Sequence, residues 1–178
     1  MVYEPREDSC LLEKAVLKYA FGDVLDMGTG TGILAKATAG KKEVRTVFAV
    51  DIDTQAVALL KKEKLDKIIV FESDLFSGIP KTRKFDCIIF NPPYLPEYPK
   101  DRDIALDGGK KGYELILRFL AEAKQFLQED GIILLLFSTL SKKKVIERAL
   151  MENRYAYEKV GEEKLDFETL YVYKISKI

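Results

Sequence analysis

The residues with the clearest chemical potential are Asn91-Pro92-Pro93-Tyr94, which follow directly on an apolar run. Two consecutive prolines fix the backbone and remove two N–H donors. The side-chain oxygen of Asn91 and the carbonyl of Pro92 can then both accept hydrogens from one planar NH2 group, on which Tyr94 can stack. This motif would promote a reaction of that nitrogen by positioning it. The alternative interpretation is an ordinary Asn-Pro turn with an exposed aromatic residue.

A second motif runs from Asp26 into a glycine-rich turn that contains Gly28, Gly30 and Gly32 and leads into a helix. Glycines let the backbone approach a ligand closely. The spacing departs from the dinucleotide fingerprint, because Ile33 stands where the third glycine would be. Asp26 would repel a pyrophosphate but can accept a hydrogen bond from an amino-acid ammonium. The motif therefore favours S-adenosylmethionine over NAD, with S-adenosylhomocysteine as the product.

Acidic residues also follow the next two apolar runs. Asp51 could bind ribose hydroxyls, and Ile52 beside it could pack on the adenine. Asp74, which precedes Leu75, could accept the exocyclic adenine amine. Each carboxylate alone could merely cap a helix. Three of them behind a glycine turn favour one cofactor crevice.

The composition excludes several other kinds of site. The chain has no histidine, and Cys10 and Cys87 lie far apart, so we expect no metal site and no Cys-His or Ser-His catalytic pair. The 29 basic and 29 acidic residues cancel, which predicts no overall attraction to nucleic acid or anionic lipid. The longest apolar run, Ile132 to Phe137, is too short to span a bilayer, and residues 1–9 lack a signal-peptide core. We expect a cytoplasmic protein.

Apolar runs alternate with helix-period segments, which predicts an α/β fold with a mostly parallel sheet and helices on both faces. The predicted strands are Asp23 to Met27, Thr46 to Val50, Lys67 to Glu72, Phe85 to Phe90, Gly131 to Phe137, Ala156 to Val160 and Thr169 to Ile175. The predicted helices are Ile33 to Ala39, Thr54 to Lys64, Gly112 to Glu129 and Ser141 to Glu152, and Asp8 or Ser9 could cap a leading helix. Gly161 to Glu168 is too short for a helical crossover, so the last strand should be antiparallel and the seven-stranded sheet mixed.

The length predicts a single domain over residues 1–178, with a leading segment and helix over 1–21. Residues 95–111 are rich in proline, glycine and charge and have little periodicity. Loops of this length in compact domains are often functional, so we expect an active-site loop there.

Together these motifs resemble the class I S-adenosylmethionine-dependent methyltransferases of the HemK type, which methylate the side-chain amide of glutamine in translation release factors. The resemblance covers nearly the whole chain, and residues 3–9 are similar to those of the short archaeal and eukaryotic branch. It implies a Rossmann-like domain in which Tyr3 and Ser9 close over the methionine part of the cofactor. The cofactor-binding residues would then be Tyr3, Ser9, Asp26, Gly28, Gly30, Gly32, Asp51, Ile52, Asp74, Leu75 and Asn91.

The resemblance also implies a partner. Catalytic subunits of that branch work with a small zinc-binding activator protein, which adds a strand beside the sheet. In the family's strand order the third strand is an edge, and here it includes Ile68 to Phe71. An apolar edge strand invites pairing or must be covered, either by this partner or by flanking helices.

The predicted function is N5-methylation of the glutamine in the Gly-Gly-Gln motif of a peptide chain release factor, with Asn91, Pro92 and Tyr94 as catalytic residues and Pro93 in the substrate site. An alternative is methylation of an exocyclic amine of RNA or DNA, because the motif suits any planar NH2 group. The neutral net charge disfavours nucleic acid. A relative that binds the cofactor without catalysis is a further alternative, against which the intact Asn91 to Tyr94 motif argues.

Overall fold

The computed structural model describes residues 7–94 and 111–178. The strands are β1 (Gly22–Met27), β2 (Val44–Asp51), β3 (Ile68–Glu72), β4 (Phe85–Phe90), β5 (Leu127–Ser138), β6 (Tyr155–Lys164) and β7 (Thr169–Lys177). The α-helices are α1 (Glu7–Tyr19), α2 (Ile33–Ala39), α3 (Thr54–Lys62), α4 (Glu114–Ala123) and α5 (Lys143–Glu152). Short 3-10 turns at Lys124–Phe126 and Thr139–Ser141 flank β5.

The strands form one seven-stranded sheet in the order β3-β2-β1-β4-β5-β7-β6. The five strands β3, β2, β1, β4 and β5 are parallel to one another, whereas β7 is antiparallel to both β5 and β6. This confirms the predicted mixed sheet with an antiparallel last strand and places β3 at an edge. The chain order reverses between β1 and β4, which is where open α/β sheets bind ligands, beyond the carboxyl ends of the strands.

Helices cover both faces of the sheet, as predicted. Leu12 of α1, Ala35 of α2 and Leu60 of α3 belong to one apolar cluster. Phe119 of α4 and Leu150 of α5 belong to the other. Because the central strands are buried on both sides, they read as continuous apolar runs in the sequence.

The predicted helix from Gly112 to Glu129 is too long, since α4 ends at Ala123 and β5 begins at Leu127. Leu127 pairs with Phe85 of β4, so sheet pairing overrides the helical pattern there. At the other end of the sheet, β6 continues through a bulge near Gly161 to Lys164, which shortens the predicted turn before β7.

Within residues 7–94 and 111–178, no helix is long and apolar enough to cross a membrane.

Candidate active site

The predicted site residues follow the carboxyl ends of neighbouring parallel strands. Met27 of β1 pairs with Val50 of β2 and with Phe90 of β4, and Asp51 pairs with Glu72 of β3. The segments that follow these strands therefore leave the sheet at the same edge. This register brings together the glycine turn, residues 51–53, residues 73–75 and the segment that begins at Asn91.

The three glycines of the turn have different surroundings. A Cβ on Gly32 (φ 76°) would lie 2.5 Å from a methyl carbon of Leu60, so this glycine allows α2 to pack closely against α3. A Cβ on Gly30 (φ 52°) would meet nothing within 4 Å among the described residues. Gly28 is exposed. The turn thus presents its open side at Gly30, where a ligand can approach the backbone.

Asp26 is a buried carboxyl at the end of β1, with 1% of its surface exposed. The Thr29 hydroxyl donates a hydrogen bond of 2.7 Å to Asp26 Oδ2. Burial raises the pKa of Asp26 to about 7, and the nearby charge of Asp51 acts in the same direction, while the Thr29 hydrogen bond opposes the shift. A cation placed beside Asp26 would favour its charged form.

Asp51 holds the glycine turn in place. Its Oδ2 accepts the Gly30 N–H at 2.8 Å, and its Oδ1 accepts the Asp53 N–H at 2.9 Å. The helix-capping alternative applies instead to Asp53, whose side chain accepts the Gln55 N–H at the start of α3. Ile52, between these two aspartates, is 52% exposed at the edge of the sheet.

The turn after β3 holds Leu75 in an uncommon conformation, with φ 47°. Ser73 fixes this turn, since its hydroxyl donates to the Leu75 carbonyl at 2.6 Å and accepts the Gly78 N–H at 2.9 Å. Leu75 is buried, whereas Asp74 is exposed and forms an ion pair of 3.3 Å with Arg118 of α4. Asp74 therefore has a cationic neighbour that the sequence did not indicate.

Asn91 directly follows β4, and the nitrogen and oxygen of its side-chain amide differ in hydrogen bonding. Its Nδ2 donates a hydrogen bond of 3.2 Å to Asp8 Oδ2. Its Oδ1 is buried and has no hydrogen-bond partner among residues 7–94 and 111–178. The following Pro92 is buried, and Pro93 is half-buried. A buried acceptor without a partner is costly unless a ligand supplies the donor.

Tyr94 is half-buried and packs against the cluster that includes Leu136 and Val172. Its carbonyl accepts a hydrogen bond of 3.1 Å from the hydroxyl of buried Ser141, in the turn after β5. The segment from Asn91 to Tyr94 is thus held at its first residue by α1 and at its last by the chain after β5.

Several residues with a part in this arrangement were not predicted for the site. Thr29 lies within the predicted glycine turn but was given no role there. Ser141 acts through a single hydrogen bond and Arg118 approaches Asp74 from a distant helix, so no local pattern marks these two. Asp8 was considered only as a helix cap. Ser9 is buried beside it. Tyr3 and most of the predicted loop at 95–111, through residue 110, lie outside the described residues.

Comparison with known proteins identifies the family of the chain. Residues 7–167 match the methyltransferase small domain family. A Methanocaldococcus jannaschii protein, provisionally named a protein N5-glutamine methyltransferase, is 40% identical over 179 residues, which span 96% of this chain and 89% of the relative. A release factor glutamine methyltransferase of Shewanella oneidensis is 32% identical over 74% of this chain, which corresponds to only 51% of that relative.

Among solved structures, a chain of the E. cuniculi Mtq2-Trm112 complex, responsible for methylation of the eRF1 translation termination factor, superposes with a TM-score of 0.79 and 29% identity. The match covers 99% of this chain and 98% of that one. The chain therefore belongs to the methyltransferase small domain family and, within it, to the protein N5-glutamine methyltransferases that its sequence resembles.

Proposed function

We propose that this protein transfers a methyl group from S-adenosylmethionine to the side-chain amide nitrogen of a glutamine in a peptide chain release factor. The observation that carries the proposal is the buried Oδ1 of Asn91, an acceptor without a donor among the described residues, at the start of a segment with two prolines. An amide NH2 group supplies the donors that this segment lacks.

The residues around the glycine turn suit the cofactor. Open space beside Gly30 leaves room for it, and the buried carboxyl of Asp26 can pair with its ammonium. Asp51 already accepts two backbone N–H groups, but each carboxylate oxygen has a second lone pair with which to accept from ribose hydroxyls. Ile52 would pack on the adenine, and Asp74 with Leu75 would bind the adenine edge. Bound there, S-adenosylmethionine supplies an electrophilic methyl group on sulfur.

The chain's own contribution to catalysis is positional. An amide nitrogen is a poor nucleophile because its lone pair is delocalised. Asn91 Oδ1 and the Pro92 carbonyl would accept the two amide hydrogens, aim the nitrogen at the methyl group and stabilise the positive charge that develops. Tyr94 would stack on the planar amide and exclude water. Alkylation turns the nitrogen into a strong acid, which loses its proton to solvent water once the products separate, so no strong base is required.

The names of the relatives support the choice of substrate. They include N5-glutamine methylation in the archaeal relative, release factor glutamine in the bacterial one and eRF1 in the solved complex. Together with the family resemblance, which implies the Gly-Gly-Gln motif, they lead us to assign the glutamine of that motif as the methylated residue. A release factor substrate would place the reaction in the cytoplasm, as the sequence analysis expected.

We further propose a small zinc-binding activator protein as a partner, paired with β3. The solved relative is a complex with Trm112. In this chain β3 is an edge strand whose Ile69 is 48% exposed and whose other apolar residues are half-buried. A strand added there would satisfy the open backbone groups and cover these side chains.

The test is transfer of labelled methyl groups into the release factor of the same organism, with and without the activator. We expect label on the Gly-Gly-Gln form and none on a Gly-Gly-Ala form, with total RNA and DNA assayed in parallel. Label in nucleic acid alone would contradict the proposal and favour the exocyclic-amine alternative. No label in any substrate despite measurable cofactor binding would favour a relative that does not catalyse.

A further inference from the structure

Asp8 connects the first helix to the catalytic segment. It lies in the first turn of α1 and is 3% exposed. Its Oδ1 accepts the backbone N–H of Ser9 at 2.7 Å, while its Oδ2 accepts the side-chain N–H of Asn91 at 3.2 Å. The two oxygens of one buried carboxylate thus bind a neighbour in the helix and a residue far away in the chain.

The chemistry of this contact fixes the orientation of the Asn91 amide. An ionised carboxylate only accepts hydrogen bonds, so it pairs with Nδ2 and repels Oδ1. If the Asn91 amide were rotated by 180°, its Oδ1 would face Asp8 Oδ2 and the two oxygens would repel each other. The N–H groups of Asn91 would then point into the site. With Asp8 present, the end of Asn91 that remains for a ligand is an acceptor, which is the buried Oδ1.

We propose that Asp8 is a positioning residue for methyl transfer, which acts through Asn91 by holding its amide oxygen toward the substrate nitrogen. The inference rests on the proposed function, because it gives Asn91 Oδ1 the role of accepting from the substrate NH2 group. The charge of Asp8 also polarises the Asn91 amide, so that its oxygen is a stronger acceptor.

The competing explanation is that Asp8 only stabilises the start of α1. Asp8→Ser separates the two roles, because serine keeps a side-chain oxygen near the Ser9 N–H at the start of α1 but is too short to reach Asn91. The matched control is Glu7→Gln, which removes an exposed carboxylate from the same turn. If Asp8→Ser does not fold, Asp8→Ala gives the same test, because alanine favours the helix and cannot reach Asn91.

The first readout is the NMR spectrum of the full chain labelled with 15N-asparagine. The chain has two asparagines, and Asn153 serves as the internal reference because its side chain donates to the Ala149 carbonyl at 2.8 Å. We expect the Asn91 side-chain amide signals to shift toward those of a free amide in Asp8→Ser while the Asn153 signals stay unchanged. Unshifted Asn91 signals would overturn the inference.

The second readout is the kinetics of methyl transfer to the release factor in the presence of the activator. We expect kcat to fall by roughly tenfold to a hundredfold in Asp8→Ser, as for a small misplacement of the reacting groups. The KM values for S-adenosylmethionine and for the release factor should stay within about threefold. An unchanged kcat, a loss confined to the cofactor KM, or an equal loss in Glu7→Gln would each overturn the positioning role.

The two readouts separate this inference from the proposed function. The NMR experiment uses no substrate, so it reports the orientation of Asn91 whatever the enzyme methylates. If the unmodified enzyme failed to methylate the release factor while Asn91 shifted in Asp8→Ser, the substrate assignment would be wrong and the hold of Asp8 on Asn91 would still be supported.

Discussion

At the scale of single residues, Asn91 has a hydrogen-bond partner for the nitrogen of its side-chain amide but none for the oxygen among the described residues. Its Nδ2 binds Asp8, while its buried Oδ1 finds no donor in the part of the chain that the structure describes. Leaving such an acceptor unpaired costs about 1–3 kcal/mol. A donor group of a bound ligand would offset this cost, which supports the proposed role of Asn91 in holding the substrate amide.

We predict that Asn91→Ala leaves cofactor affinity within about threefold but lowers kcat by roughly a thousandfold, because positioning supplies most of the rate. Calorimetry with S-adenosylhomocysteine and methyl transfer to the release factor measure the two effects. Asn153→Ala is the control, since it removes the other asparagine at the end of α5. Equal losses of binding and turnover would contradict a catalytic role for Asn91.

The proposed pairing of Asp26 with the cofactor ammonium would make cofactor binding depend on pH. Its carboxyl is buried with a pKa raised to about 7, and only the charged form can pair with an ammonium. We predict that affinity for S-adenosylhomocysteine rises as the pH increases from 6 to about 7.5, and that Asp26→Asn binds more weakly with little change over this range. Calorimetry at several pH values measures both.

The raised pKa of Asp26 also predicts how the free energy of unfolding depends on pH. The folded protein keeps a proton on Asp26 between its unfolded pKa of 3.8 and about 7, so the stability that this group contributes is present at low pH and is lost as the pH rises through 7. Without cofactor, Asp26→Asn should therefore be more stable than the parent by roughly 1–3 kcal/mol at pH 8, with a smaller difference at pH 5. The exposed Asp66→Asn is the control, and a difference that does not grow with pH in denaturant melts would contradict the assignment.

At the scale of elements, the sequence predicts the strands well because burial on both faces makes them short, uninterrupted apolar runs. The run from Phe85 to Phe90 was predicted with its observed bounds. The error lies at the end of α4, where the exposed residues 128–130 continue a helical pattern although the chain has already joined the sheet at Leu127. The local helical pattern carries no information about the pairing of this segment with β4, which is distant in the sequence.

Most features of the site that could not be predicted from the sequence are contacts between different helices and strands. The convergence of the candidate site residues was predictable because parallel strands end at one edge, so residues after successive strands must come together. The bonds of Asp8 to Asn91 and of Ser141 to Tyr94 join elements far apart in the chain. Their geometry depends on how helices and turns dock on the sheet, which no spacing encodes.

The edge strand β3 allows a test of the proposed pairing with the activator. The Lys67 carbonyl accepts the Val47 N–H, and the Ser73 N–H donates to the Asp51 carbonyl, so every second residue from Lys67 to Ser73 directs its backbone toward β2. The backbone of Val70 therefore faces the open edge. We predict that Val70→Pro, which removes this N–H, weakens activator binding at least about tenfold while the chain stays folded.

Val70→Ala is the matched control for this experiment, because it shortens the same side chain but keeps the N–H. Binding can be followed by pull-down and calorimetry, and folding by circular dichroism. Equal weakening by alanine and proline would mean that side-chain contacts dominate. Full binding by the proline variant would show that the activator does not pair with β3 at this position.

At the scale of the whole molecule, the distribution of charge favours a protein substrate over a nucleic-acid substrate. Equal numbers of basic and acidic residues leave no net positive charge, and ion pairs use some of the basic side chains. Arg45 and Arg83 bind Asp23 at the amino end of β1, opposite the site, while Arg118 binds Asp74 beside it. These arginines are thereby less available for phosphate groups.

We predict that the enzyme binds single-stranded RNA only weakly, with a shallow dependence of the binding constant on salt. Each phosphate contact adds about −0.7 to the slope of log K against log salt concentration, so a chain without net positive charge is predicted to show a shallow slope. Titration of a fluorescent RNA at several salt concentrations measures it, with the release factor as the parallel ligand. A slope steeper than about −3, which corresponds to several phosphate contacts, together with methyl transfer to RNA would overturn the assignment of a protein substrate.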